Sequence, residues 1–128
     1  TVIDPKVGHF GGTVAAPNPG MHRVVVYGPS GAVVREFGKQ GVRPEEFSGC
    51  CNPTNLALLP GGAVATAEKR PPRVKVYGAG GELLAYIGPE AFHADAAGMD
   101  LAADASGRIC VLDPAAGTVL VFERKETR

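Results

Sequence analysis

Short apolar runs rich in β-branched residues recur along the chain, broken at near-regular intervals by glycine and proline. The clearest are RVVVY at 23–27 and RVKVY at 73–77, a composition that suits the pleated surface of a strand. The pattern predicts strands over 12–16, 23–27 and 32–37, then over 54–59, 63–67, 73–77 and 82–87, and finally over 99–103, 108–112 and 118–122. GPSG at 28–31 and GAGG at 78–81 each join two such runs and read as hairpin turns. Residues 1–10 hold a proline and a glycine and make a poor strand, and AFHADAAG at 91–98 has room for one turn of helix. No helical period recurs along the chain. The expectation is an all-β fold.

The runs are copies of one another. Residues 11–38 match 61–88 without a gap at an offset of 50, and residues 98–122 match 53–77 without a gap at an offset of 45. A period of about 40 to 50 residues with four short strands per unit marks a repeat architecture. The organisation expected is a first unit at 1–38 with an irregular first strand, a connector at 39–52, a complete unit at 53–88, a connector at 89–97, a third unit at 98–122 without its outer strand, and a tail at 123–128. The terminal ERKETR reads as a solvated end.

Composition narrows the function only by exclusion. The 128 residues suffice for one modest core, and hydrophobic residues at 45% against charged residues at 20% are ordinary for a folded domain. Thirteen basic and thirteen acidic residues balance to zero net charge, so no basic excess points to nucleic acid. No apolar run approaches the length that spans a bilayer. The chain starts at Thr1 instead of methionine, which suggests an upstream segment that was removed or never included. Its alanine-, glycine-, arginine- and proline-rich wording fits a bacterial sequence of high coding GC content.

The order of features in each unit is apolar strand, Gly-Gly or Ser-Gly turn, strand, short loop, R-V-x-V-Y, G-x-x-G, and an outer strand ending in glycine. It resembles the blades of NHL-type β-propellers over roughly residues 11–122. AVATAEKRPPRVKVY and ICVLDPAAGTVLVF carry the resemblance, with Glu68 and Asp113 at the acidic position and Arg23 and Arg73 at the arginine position. The first copy departs from the pattern with Asn18 for the acid, and the third with Thr118 for the arginine. The resemblance implies four-stranded antiparallel blades stacked about an axis, each burying a face that it cannot bury alone. Propellers close with about four to eight blades. About three blades are an arc, completed either by further blades of a longer chain or by other copies. NHL-like propellers include partner-binding modules, RNA-binding modules and a few metal-dependent enzymes, so the resemblance speaks to fold more than to function.

Cys50 and Cys51 in SGCCNP are the least ordinary local feature. Adjacent cysteines form a vicinal disulfide or offer soft ligands to a thiophilic metal such as Cu(I) or Zn(II). They lack the paired CxxC spacing of a structural zinc site. They also sit in the longer of the two connectors, where a repeat scaffold tends to carry function. His93 occupies the other connector and becomes a neighbour of the pair if the two connectors share a face. Cys110 reads as a small buried strand residue, and His9 and His22 as isolated histidines. Arg23, Arg73, Glu68 and Asp113 recur at the blade period, which favours a repeated structural contact, since a catalytic site is used once. No nucleophile elbow, phosphate loop or paired-carboxylate site is present.

The reading that follows is a non-catalytic propeller segment that binds a protein or a small ligand through loops at one end, with no cofactor. The alternative is an extracytoplasmic enzyme, or a redox or metal-binding propeller, using Cys50, Cys51 and His93. A disulfide at the pair favours an oxidising setting outside the cytosol, and free thiols are compatible with the cytosol.

Overall fold

Ten short strands form three antiparallel sheets in sequence order in the computed structural model, which describes residues 12–125. The expected irregular strand at 1–10 and residues 126–128 of the expected tail lie outside the described residues. The first sheet is β1 (Val14–Asn18), β2 (Arg23–Tyr27) and β3 (Val33–Phe37). The second is β4 (Asn55–Leu58), β5 (Val64–Glu68), β6 (Arg73–Tyr77) and β7 (Leu83–Ile87). The third is β8 (Asp100–Ala103), β9 (Ile109–Asp113) and β10 (Thr118–Phe122). Each sheet is a meander of neighbouring strands, and no sheet closes on itself.

The repeat offsets carry over to backbone detail. β2 and β3 lose register between Val26 and Tyr27, and β6 and β7 do so between the equivalent Val76 and Tyr77. The GPSG turn bonds Gly28 N–H to Ala32 O at 2.8 Å and Gly31 N–H to Gly28 O at 2.9 Å. The GAGG turn repeats both bonds at 2.8 and 2.9 Å, from Gly78 to Glu82 and from Gly81 to Gly78. Gly31 and Gly81 stand at φ of 84° and 86°, where a Cβ is strained, and this explains the glycine that ends both turns. The strand limits fall within one residue of those expected except in β1. β1 runs to Asn18 instead of stopping at 16, because Pro17 and Asn18 still pair with Val24 and Arg23 before a 3-10 turn at Pro19–Met21. The segment 91–98 makes a turn closed by Ala96 N–H to His93 O at 2.9 Å, after a separate 3-10 turn at Pro89–Ala91.

Successive sheets meet through equivalent strands. β1 is the repeat equivalent of β5, and it contacts β4 as β5 contacts β8, while β4 and β8, the equivalent first strands, lie side by side. The Asn55 side-chain amide donates to Asp100 Oδ1 at 3.2 Å across that seam. The middle sheet is therefore covered on both faces, and every residue of β5 and β6 is buried. Alternation splits its two faces. Ala65, Ala67, Val74 and Val76 pack with Met99, Ile109 and Val111 of the third unit. Val64 and Tyr77 pack on the other side with Val24 and Phe47. Lys75 is wholly buried on this second face, which calls for a compensating anion.

Candidate functional site

The anion is Glu68. Its Oε1 lies 2.6 Å from Arg73 Nη2 and its Oε2 lies 2.9 Å from Lys75 Nζ, with both carboxylate oxygens shut off from water. Glu68 and Arg73 are direct cross-strand partners at the ends of β5 and β6, and Lys75 is two residues along the same face. The cations then reach the 39–52 connector. Arg73 Nη2 donates to Ser48 Oγ at 3.1 Å, Lys75 Nζ donates to the Glu46 carbonyl, and the Tyr77 hydroxyl donates to the Glu45 carbonyl at 3.0 Å. Lys75 Nζ also stands 4.8 Å from the centre of the Phe47 ring. Burial pushes the Lys75 ammonium below its usual pKa, with Glu68 opposing, and burial followed by the Glu68 charge pushes the Tyr77 hydroxyl up. The recurring face of β6 thus ties the connector to the sheet.

The connector is held at both ends. Near its start, Phe47 N–H donates to Lys39 O at 2.9 Å and Gly41 N–H to Phe47 O at 3.1 Å. The Glu46 carboxylate accepts from Arg43 N–H at 3.1 Å and pairs with Lys39 at 3.3 Å. The Arg43 N–H bond, followed by the Lys39 ammonium, holds the Glu46 carboxyl below its ordinary pKa against the cost of burial. At the far end, buried Asn52 accepts from Lys69 N–H at 3.0 Å and donates to Lys69 O and Ser48 O, both at 2.9 Å. An amide that exchanges both bonds with one backbone residue imitates a strand pair, so the connector and the β5–β6 loop move as one.

Between those anchors the tip stays open. Cys50 and Cys51 are free thiols on the surface. The hydrogen bond from Cys50, followed by partial desolvation, raises the Cys51 pKa above the usual thiol value, with Lys69 and Arg70 pulling it down. The three non-glycine residues with left-handed backbone among the described residues are His22, Cys51 and Arg70, at φ of 54°, 75° and 51°. They converge here: His22 Nε2 lies 2.6 Å from the carbonyl of Gly49, and Arg70 acts on Cys51 electrostatically. Such conformations cost about 1–3 kcal/mol each and persist where the surroundings enforce them.

The residues singled out in the sequence divide into separate groups. Glu68 and Arg73 meet, as do Cys50 and Cys51. Arg23 pairs instead with Glu36 on β3 at 3.2 Å, and no long acid stands opposite it because Asn18 does. Asp113 anchors the second connector: its Oδ2 accepts from His93 N–H at 2.9 Å and its Oδ1 from Ala116 N–H at 3.2 Å. The His93 bond is the largest influence holding the Asp113 carboxyl below the ordinary aspartate pKa. The His93 ring accepts from Asp95 N–H at 3.1 Å, and the histidine at the cysteine tip is His22. Among the described residues no group of three or more His, Cys, Asp or Glu side chains is placed to hold a metal ion. A shallow groove of about 310 Å³ lies apart from this end, between the 106–108 turn and residues 123 and 124.

Four contributors are invisible to motif reading. Phe47 and Phe92 are themselves 45 residues apart and pack on Tyr77 and Phe122, also 45 apart, with ring centres at 5.8 and 6.0 Å. Extending the repeat alignment back into the connectors is the signal that finds them. Asn52 and Ser48 have no such signal, because Asn52 bonds only backbone atoms and Ser48 meets Arg73 from 25 residues away in the chain.

Comparison of the chain with models of protein families and with curated proteins finds no match. Among the described residues no helix is long and apolar enough to cross a membrane.

Proposed function

We propose that this chain is an arc of an NHL-type β-propeller and a non-catalytic scaffold that binds a protein or a small ligand at the connector end. The observation that carries this reading is the convergence of three left-handed non-glycine residues, His22, Cys51 and Arg70, on one exposed tip. That tip stands on a backbone fastened from beneath by Glu68, Arg73, Lys75 and Asn52. Fixed geometry under an open surface lowers the ordering cost of binding. The contact of β1 with β4 and of the equivalent β5 with β8 supports the arc, and the balanced charge favours a protein or small ligand over nucleic acid. The test is an amide NMR titration of the full chain with a library of peptides and small polar molecules. Specific ligands are expected to shift resonances of residues 41–51 and 69–71 first, and perturbations confined to other surfaces would overturn the assignment.

A second reading has its own support. Cys50 and Cys51 are unpaired, exposed and in contact with one another, as a dithiol that closes to a disulfide or takes a soft metal ion must be. Native mass spectra of the reduced chain with Cu(I) and with Zn(II) distinguish it. This reading expects one metal per chain, lost in the Cys50→Ser/Cys51→Ser double variant, and no uptake of either ion removes the metal form.

A further inference from the structure

The cysteine pair sits between two fastened backbone points. Immediately before it, the Gly49 carbonyl is met by His22 Nε2 at 2.6 Å. Immediately after it, the buried Asn52 amide bonds both the N–H and the carbonyl of Lys69, at 3.0 and 2.9 Å. Only Cys50 and Cys51 lie between those anchors, and both thiols are free and exposed. A span of two residues held at both ends is preorganised for a partner that arrives from solvent.

The same anchor decides which charges stand beside the thiols. Lys69 is bonded to the residue that follows Cys51, and Arg70 comes next in the chain. Arg70 is exposed and Lys69 half-buried. Among the described residues neither side chain pairs with a carboxylate. The wider end is cationic too. Segments 39–52 and 68–75 hold six lysines and arginines against three glutamates, in a chain that is neutral as a whole. Two of those glutamates are already engaged, Glu46 by Lys39 and Glu68 by Arg73 and Lys75. A ligand approaching the thiols therefore meets unneutralised positive charge.

We propose that Cys50 and Cys51 are a thiol–disulfide exchange site for small disulfides that carry carboxylates, with Lys69 and Arg70 selecting the anionic reagent. This rests on the dithiol form of the second reading above. The Cys50 thiolate attacks one sulfur of the reagent R–S–S–R, expels the first R–S⁻ and leaves a mixed disulfide on the chain. The Cys51 thiol then gives up its proton, attacks the Cys50 sulfur, expels the second R–S⁻ and closes the Cys50–Cys51 bond. Two electrons pass from the pair to the small disulfide, whose two sulfurs take up the two thiol protons. The order follows from the contact between the thiols. The hydrogen bond with Cys50 keeps the proton on Cys51, and Lys69 and Arg70 oppose it. Once Cys50 is tied up in the mixed disulfide, that restraint is gone and the two cations remain, so Cys51 is released to resolve.

The experiment exposes the full chain to glutathione disulfide, which is anionic, and to cystamine, which is cationic, and follows it by intact mass and peptide mapping. Each rate is divided by that of the urea-unfolded chain, which removes the intrinsic reactivity of the reagent. The expected product is a Cys50–Cys51 disulfide, lighter by its two thiol hydrogens. It should form about fivefold or more faster with glutathione disulfide than with cystamine at low ionic strength. That preference should shrink at high salt. Lys69→Glu/Arg70→Glu should reverse it and Lys69→Arg keep it, with circular dichroism confirming the fold. A structural role for the two cations would instead slow both reagents alike. Cys51→Ser should stop at the mixed disulfide on Cys50. Closure at equal corrected rates overturns the proposal and leaves the dithiol reading in place. No closure with either reagent removes the dithiol form of that reading and this inference with it.

Discussion

At the scale of single residues, the molecule turns on one buried carboxylate serving two buried cations. Removing one partner of a buried ion pair leaves the other charge desolvated and costs about 3–5 kcal/mol, whereas removing a redundant partner costs far less. Glu68→Ala strands both Arg73 and Lys75, and a loss of about 3 kcal/mol or more is expected in urea unfolding. Lys75→Met leaves the Glu68–Arg73 pair intact and forfeits the bond to the Glu46 carbonyl, for a loss of about 1–2 kcal/mol. The reverse ranking would show that the cations, not the anion, organise the cluster. Asp113 gives a pH signature. Its pKa is depressed in the fold, so its contribution is present above the unfolded aspartate pKa and is lost as pH falls through the lower folded value. Asp113→Asn removes that acid-side dependence, and the melting temperature of the variant should fall less than that of the wild type as pH drops through the aspartate range.

At the scale of elements, the two connectors are working parts of the sheets that follow them. Phe47 is fully buried between Val24 and Tyr77, so Phe47→Ala opens a cavity where the connector meets two sheets. A loss of about 3–5 kcal/mol is expected by denaturant titration, together with faster amide exchange across residues 39–52. Unchanged exchange there would mean that Asn52 and the ion cluster hold the connector without the ring. The strands were legible in the sequence because β-branched runs, turn glycines and two gapless offsets all point the same way. The bulges at Tyr27 and Tyr77 and the turn bonds repeat at the same spacing. The connector's role was not legible. Its anchors are carbonyls of Glu45, Glu46 and Ser48 and the amide of Asn52, groups that every sequence supplies and no motif marks. The proximity of His22 to the cysteine tip was hidden for the same reason: 27 residues separate it from the carbonyl it meets.

At the scale of the whole molecule, three sheets in sequence order give a middle sheet with two covered faces and a third sheet with one open face. The burial of equivalent strands carries the asymmetry: β6 is buried throughout, whereas β10, which holds the same place in the third sheet, is mainly exposed, and the outer strands β3 and β7 are mainly exposed in both of their sheets. The opening of a region costs free energy in proportion to the packing and bonds that it loses. Native-state amide hydrogen exchange therefore tests the account most directly. The hydrogen-bonded amides of β5 and β6 should exchange slowest, at the limit set by global unfolding. Those of β10, which holds in the third sheet the place of β6, should exchange faster. If β10 proves as protected as β6, or if β5 and β6 exchange no more slowly than the flanking sheets, then the middle sheet is not the element that the other two enclose.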